Sequence, residues 1–377
     1  MKILHLVDSA GFYGAETVII TLALEQKTSN EVPVVCALIK KNQADPDIVI
    51  KARAYGLNAV ALPVSGNIWR QSKLIVDYAK SKSFDIIHSH GYRPGILVGL
   101  VIGLSAISKV RTLHGWTHST YFSKLFIYNF IDALLLWRQD AVVVVSNKMK
   151  KNILMRFVPK SLISTIHNGI STDSHPLITL EELNDPKFQK LYMSNYLIGA
   201  VGRLSAEKAQ SDLIRAVALL RKEDYQVAIV IIGEGPERQS LERLSSELKI
   251  SDFVYLPGYL DNAARYLHLF RVLCIASLTE GLPITILEAM QHGVPVLSTN
   301  VGDIPELLEN GRGFLVSPRH PEEIAMCIKE MINDPEKTRT MSEQAKQYFT
   351  KNYTSKTMVR MYSDVYKRVI DKKVYSQ

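Results

Sequence analysis

The sequence predicts an α/β fold made of two doubly wound parallel sheets in tandem. Three observations point there. Short β-rich runs alternate with helical stretches along nearly the whole chain; the runs are continuously apolar rather than alternating; and the pattern halts once, near residue 171, before starting again. A continuous apolar run suits a parallel strand covered by helices on both faces, and strand–helix alternation is the βαβ pattern that builds such a sheet.

In chain order the first half offers KILHLV, PVVCALI, NAVALPV, FDIIHSH, KVRTLHG, AVVVVS and ISTIHNG as strands. Segments such as ETVIITLALEQ and QSKLIVDYAKSK carry helical periodicity between them. Residues 1–170 form the first expected domain. The stretch STDSHPLITLEELNDPKFQK, residues 171–190, is rich in Ser, Asp and Pro and reads as a linker with a short helix. The second domain, residues 191–355, brings YLIGAVG, YQVAIVIIG, DFVYLPG, RVLCIAS, GVPVLST and RGFLVS. A last helix reads from about residue 356. Two such domains imply a cleft, and ligands of open α/β sheets bind beyond the carboxyl ends of the strands.

With 377 residues the chain is too long for one ordinary domain and a natural length for two. Its 47% hydrophobic and 22% charged residues exclude a disordered chain. Cys36, Cys274 and Cys327 have neither pairing nor metal-ligand spacing and read as core residues of a reduced, cytoplasmic protein. No apolar run reaches the roughly 18 residues a spanning helix needs, and the N-terminal run is too short for a signal peptide. Of the net charge of +8, the window from Lys109 to Lys160 holds nine basic and two acidic residues, a net of +7, among many aromatics. Such a window suits nucleic acid, an anionic membrane or an acidic ligand.

Two segments carry chemistry. In GRLSAEKAQSDLI, Arg203 and Lys208 stand five residues apart on a loop entering a helix. A helix N-terminus favours anions, and two cations beside it suit a diphosphate. In LTEGLPITILEAMQHGVPVLST, Glu280 lies in a loop, Pro283 starts a helix and Glu288 falls on it. Free amides near Gly281, Leu282, Pro283 and Ile284, with two carboxylates, can meet phosphate or sugar hydroxyls. Two Glu residues at this spacing, taken alone, read equally as a loop cap and a solvated helix residue.

The setting resolves that. EGLPITILEAM followed by GVPVLSTNVGDIPELLENGRGFLV resembles the C-terminal lobe of the family 4 glycosyltransferases, which have the two-lobed GT-B fold of facing Rossmann-like domains. GRLSAEK, IIGEGPER, GFYGAE, HGWTH, VVVSNKMKKNIL and IHNGI match as well, so the resemblance spans nearly the whole chain. It implies a retaining, metal-independent transfer of a hexose-type sugar from a nucleotide sugar, UDP- before GDP-, to a glycan or lipid-linked acceptor. Arg203 and Lys208 would neutralise the diphosphate, Glu280 and the Gly281–Ile284 amides would hold the donor sugar, and Glu288 the ribose. Gly14 would let a loop approach phosphate, Leu260 would lie by the base, and His114 beside the sugar. The fold also implies a last helix crossing back onto the first lobe, and lobes hinging at 171–190 to close on donor.

Two positions depart from the family. Tyr13 stands where a glycine is usual and would narrow the donor or acceptor site; Ala209 replaces a glycine after the lysine. Tyr13, His90 and Arg93 are the acceptor candidates. His88 and His90 share one strand face but have no third ligand nearby in the sequence, so no metal is expected and no cofactor is implied. Asp45-Pro46-Asp47 reads as a helix cap rather than a metal motif. The basic window lacks a nucleic-acid motif, whereas TYFSKLFIYNFIDALLLWRQ, residues 120–139, suits a helix lying on an anionic bilayer at the inner membrane face. In the competing reading Ala133, Leu134 and Trp137 pack inward. The other function classes are a sugar-nucleotide epimerase and an inactive partner subunit; the charged residues of the donor loops argue against the second.

Overall fold

The computed structural model describes residues 1–8, 11, 14–101, 107–114, 135–150, 155, 158–172 and 176–374. All thirteen apolar runs form strands, and every sheet pairing is parallel. The chain divides into two compact units, residues 1–171 with 352–377, and residues 172–351.

In the first unit β1 (Lys2–Val7), β2 (Val32–Ile39), β3 (Asn58–Pro63), β4 (Ile86–His90), β5 (Ser108–Leu113), β6 (Ala141–Val144) and β7 (Ile163–Thr165) lie in the order β3-β2-β1-β4-β5-β6-β7. The strand order reverses between β1 and β4, which opens a crevice beyond their carboxyl ends. The helix Ser355–Val374 closes this unit. Its Met358, Val359, Tyr362, Val365, Tyr366 and Val369 pack with Ile3, Val18, Ile86 and Val110. At about 2 kcal/mol for each buried side chain, that seam is a major share of the unit's stability. The chain enters the seam through a bridge in which Ile170 N–H donates to Tyr353 O at 3.0 Å and Ser355 N–H to Ile170 O at 2.8 Å. Gly169 is required there, since a Cβ would stand 2.4 Å from Thr354 O.

In the second unit β8 (Tyr196–Val201), β9 (Val227–Ile232), β10 (Val254–Gly258), β11 (Val272–Ile275), β12 (Val296–Thr299) and β13 (Phe314–Val316) run β10-β9-β8-β11-β12-β13, with the reversal between β8 and β11.

Four expectations are corrected. Residues 176–190 are not a linker: the helix Pro186–Ser194 buries Phe188 and Leu191 in the second unit. The Asp and Pro that suggested a linker are its cap, with Phe188 N–H donating to Asp185 Oδ1 at 3.0 Å and Pro186 in the first turn. Asp45 is not a cap: the helix Asp47–Ala54 begins after Pro46, and Asp45 pairs with Arg53 at 2.5 Å. Arg111 takes no part in a surface patch, for its side chain is buried beside Gly95, where a Cβ would stand 1.3 Å from Arg111 Nη1. Trp137 does not pack inward; it is 61% exposed. Residues 120–134, most of the proposed interfacial helix, lie outside the described residues, as does Tyr13. Among the described residues no helix is long and apolar enough to cross a membrane.

Candidate functional site

The second unit's crevice is built by three loops. After β8, Arg203 leads to a turn at Ala206–Lys208 and the helix Gln210–Lys222. That loop is pinned by the loop after β9: Leu204 N–H donates to Glu234 O at 2.9 Å and Glu237 N–H to Leu204 O at 3.1 Å. The approach is so close that a Cβ on Gly235 would lie 2.2 Å from Leu204 O. From the helix, Gln210 Nε2 donates back to Arg203 O at 2.8 Å. Ala209 sits in the left-handed region, φ 48°, so the glycine usual here has a backbone reason, and alanine costs about 1 kcal/mol.

Leu278 N–H donates to Glu207 O at 2.8 Å and joins this loop to the one after β11. Across that join Lys208 Nζ meets Glu280 Oε1 at 2.5 Å, with the side chains 29% and 12% exposed. Ser277 Oγ donates to the same oxygen at 2.7 Å, while the Ser277 carbonyl accepts from Thr299 Oγ1 at 2.7 Å. Behind the loop, Gly302 (φ +59°) comes so near that a Cβ would lie 2.0 Å from Glu280 O. Glu280 is thus held from β12, from its own loop and from Lys208, and one of its carboxylate oxygens takes both bonds. Lys208, Ser277, Glu280 and Thr285 line a pocket at these strand ends.

The helix Ile284–His292 starts beside this pocket, with Pro283 at the cap position and no side chain capping its N-terminal amides. A Cβ on Gly281 would meet nothing within 4 Å. Glu288 lies one turn into the helix, and burial pushes its carboxyl up from 4.5 to about 7. Among the described residues it makes no hydrogen bond. The arrangement offers helix amides and two cations for an anion, with two carboxylates as acceptors for hydroxyls. Arg203 is exposed on the loop that carries Lys208, and Leu260 follows the end of β10, half-buried next to exposed Tyr259.

The first unit's crevice collects histidines. Gly14 opens the helix Gly14–Thr28 after β1, again with open space where a Cβ would stand. Arg93 is held by Asp8 at 3.2 Å and Gln71 at 2.9 Å. His90 is corrected: at the end of β4 it is buried, its Nδ1 2.9 Å from His114 Nε2 and its Nε2 3.1 Å from His5 Nδ1. Buried against His114, it offers an acceptor no open surface. The absent third ligand is corrected too. β1 pairs with β4 so that His5 faces His88, and His5, His88 and His90 bring ring nitrogens within 4.8 Å. All six of those nitrogens already have hydrogen-bond partners: Gln26, Thr112, Tyr366, His114 and one another. The trio is a hydrogen-bonded core. Sequence reasoning missed Ser277, a local partner three residues before Glu280, and Gly302, His5 and Gln26, whose roles depend on strand order and register.

Comparison with known proteins gives the family and the fold. Residues 12–174 match the model "Glycosyltransferase Family 4" and residues 182–348 match "Glycosyl transferases group 1". The N-acetyl-alpha-D-glucosaminyl L-malate synthase of Bacillus anthracis is 26% identical over 301 residues, 78% of each chain. The O-antigen biosynthesis glycosyltransferase WclY of Escherichia coli is 27% identical over 292 residues, 76% of this chain and 79% of WclY. The crystal structure of Anabaena Alr3699/HepE in complex with UDP superposes with a TM-score of 0.80 over 97% of this chain and 99% of that one, at 21% identity.

Proposed function

Since the chain belongs to the group 1, family 4 glycosyltransferases with the GT-B fold and is a transferase, we propose that it moves a hexose-type sugar from a UDP-sugar to a glycan or lipid-linked acceptor. The observation that carries the reading is the Lys208–Glu280 pair at the reversal of the second sheet, with free helix amides beside it and Arg203 on the same loop as Lys208. Only a ligand that is both anionic and rich in hydroxyls uses all of these groups. UDP in the Anabaena HepE structure supports uracil as the base.

In this reading the donor diphosphate lies between Arg203, Lys208 and the amides before Ile284. Lys208 then turns from Glu280 to phosphate, which frees the carboxylate to accept from sugar hydroxyls. Glu288 accepts from the ribose diol, and those two donated hydrogen bonds offset the burial of its charge. The open space at Gly281 admits phosphate and sugar against the backbone. As the sugar–phosphate bond breaks, negative charge grows on the diphosphate, and two fixed cations stabilise it without a metal. The acceptor attacks from the face the diphosphate leaves, so configuration is kept. Exposed Trp137, Lys148, Lys150 and Lys160 support a membrane-proximal acceptor.

A panel of UDP-, GDP-, ADP- and TDP-sugars, assayed for release of nucleoside diphosphate with and without EDTA, tests this. Release from a UDP-sugar that EDTA leaves unchanged is expected. No release from any donor, or a strict need for divalent metal, contradicts it.

A further inference from the structure

A buried run of side chains leads from the back of the first unit to His114. Gln26 Oε1 is 2.7 Å from His5 Nε2, His5 Nδ1 is 3.1 Å from His90 Nε2, and His90 Nδ1 is 2.9 Å from His114 Nε2. Gln26, His5 and His90 are buried. Burial holds His5 and His114 down to about 4 and lowers His90 well below the usual histidine value, so all three rings are neutral near pH 7, each with one N–H and one lone pair.

Under that condition one end determines the other. The Gln26 amide oxygen can only accept, so His5 carries its hydrogen on Nε2 and accepts at Nδ1. His90 must then donate from Nε2 and accept at Nδ1, and His114 must donate from Nε2. The far side of Gln26 is consistent. Its Nε2 donates to Tyr366 Oη at 3.4 Å, leaving Tyr366 to donate to His88 Nδ1 at 2.8 Å and His88 Nε2–H to Thr112 Oγ1 at 2.7 Å. Reversing the whole run would place an N–H on His114 Nδ1, a buried atom that has no partner among the described residues. A buried orphan N–H is rarer and less well tolerated than an unused lone pair.

We infer that Gln26, His5 and His90 act as positioning residues that hold His114 in the Nε2–H tautomer, so that its buried Nδ1 presents a lone pair, and no N–H, to any substrate group that reaches it. The substrate contact rests on the proposed sugar transfer; the tautomer does not. A hydroxyl that reaches Nδ1 satisfies it by donating, whereas a carbonyl or phosphate oxygen, which can only accept, is turned away. The relay thereby selects for the alcohol end of a sugar or acceptor.

Long-range ¹H–¹⁵N correlation spectra of the full chain at neutral pH read the tautomer directly, with His114 assigned by the signal lost in His114→Gln. The expected pattern is hydrogen on Nε2 and a bare Nδ1 for His5, His90 and His114. Hydrogen on Nδ1 of His114, or on both its nitrogens, overturns the inference. Gln26→Met keeps the length of the side chain and removes the amide acceptor. It is expected to leave His114 in mixed tautomers and to lower kcat about tenfold with donor KM unchanged. A pure Nε2–H signal in that variant overturns the role of Gln26. If no nucleotide sugar is turned over while the Nε2–H pattern is present, the proposed reaction fails and the relay stands.

Discussion

Glu288→Gln separates the cost of a buried carboxylate from its use. In the folded chain burial lifts the Glu288 carboxyl to about 7, and in the unfolded chain it titrates near 4.5. Between those pH values the folded protein keeps a proton that the unfolded chain has lost, so stability falls as pH rises. Each pH unit is worth about 1.4 kcal/mol, which across the interval comes to about 3 kcal/mol. Glutamine has no proton to lose. Thermal melts of ligand-free wild type and variant from pH 4.5 to 8 should start with a fixed offset. The variant should then gain about 3 kcal/mol on wild type by pH 8, several degrees in Tm. A difference in Tm that is flat with pH, or that moves the other way, refutes the reasoning. In the same variant UDP affinity should drop, and wild-type UDP binding should weaken as pH falls from 8 to 6, because a protonated carboxyl no longer accepts from both ribose hydroxyls.

Arg203→Ala and Lys208→Ala should each cut turnover about a hundredfold or more with melting little changed, since each removes charge stabilisation of about 3 kcal/mol from a residue outside the core; steady-state rates check this, and wild-type rates refute it. Ala209→Gly should raise stability by about 1 kcal/mol in denaturant titrations, because φ 48° is strained for alanine; a loss of stability would show that the left-handed turn is not the controlling cost. Flotation with anionic vesicles should be weakened by Lys148→Glu with Lys150→Glu, and equal recovery with neutral vesicles removes the membrane-proximal acceptor.

Strands were legible because a buried parallel strand must be apolar on both faces, and such runs stand out between helical stretches. The charged loops of the second unit were legible as a cluster because Arg203, Lys208, Glu280 and Glu288 lie in two short segments. What could not be read was anything that depends on neighbours across the sheet. Beyond its local bond to Ser277, Glu280 owes its position to Gly302 after β12 and to a backbone bond between Leu278 and Glu207, contacts that exist only once β11 lies between β8 and β12. His5 lies more than eighty residues before His88 and His90 and joins them only because β1 pairs with β4 in one register. The Ser- and Pro-rich segment at 171–190 misled for a local reason. Asp185-Pro186 signals a helix start and a loop alike, and the burial of Phe188 decides between them.

Calorimetric titration of UDP and of uridine into wild type and the Arg203→Ala/Lys208→Ala double variant tests the central claim, that the second sheet's reversal holds a nucleoside diphosphate. Two charge-assisted contacts are worth about 3 to 6 kcal/mol together. The account therefore predicts that UDP binds the wild type at one site and the double variant at least a hundredfold more weakly, with uridine unaffected. Equal UDP affinity in both proteins would contradict it.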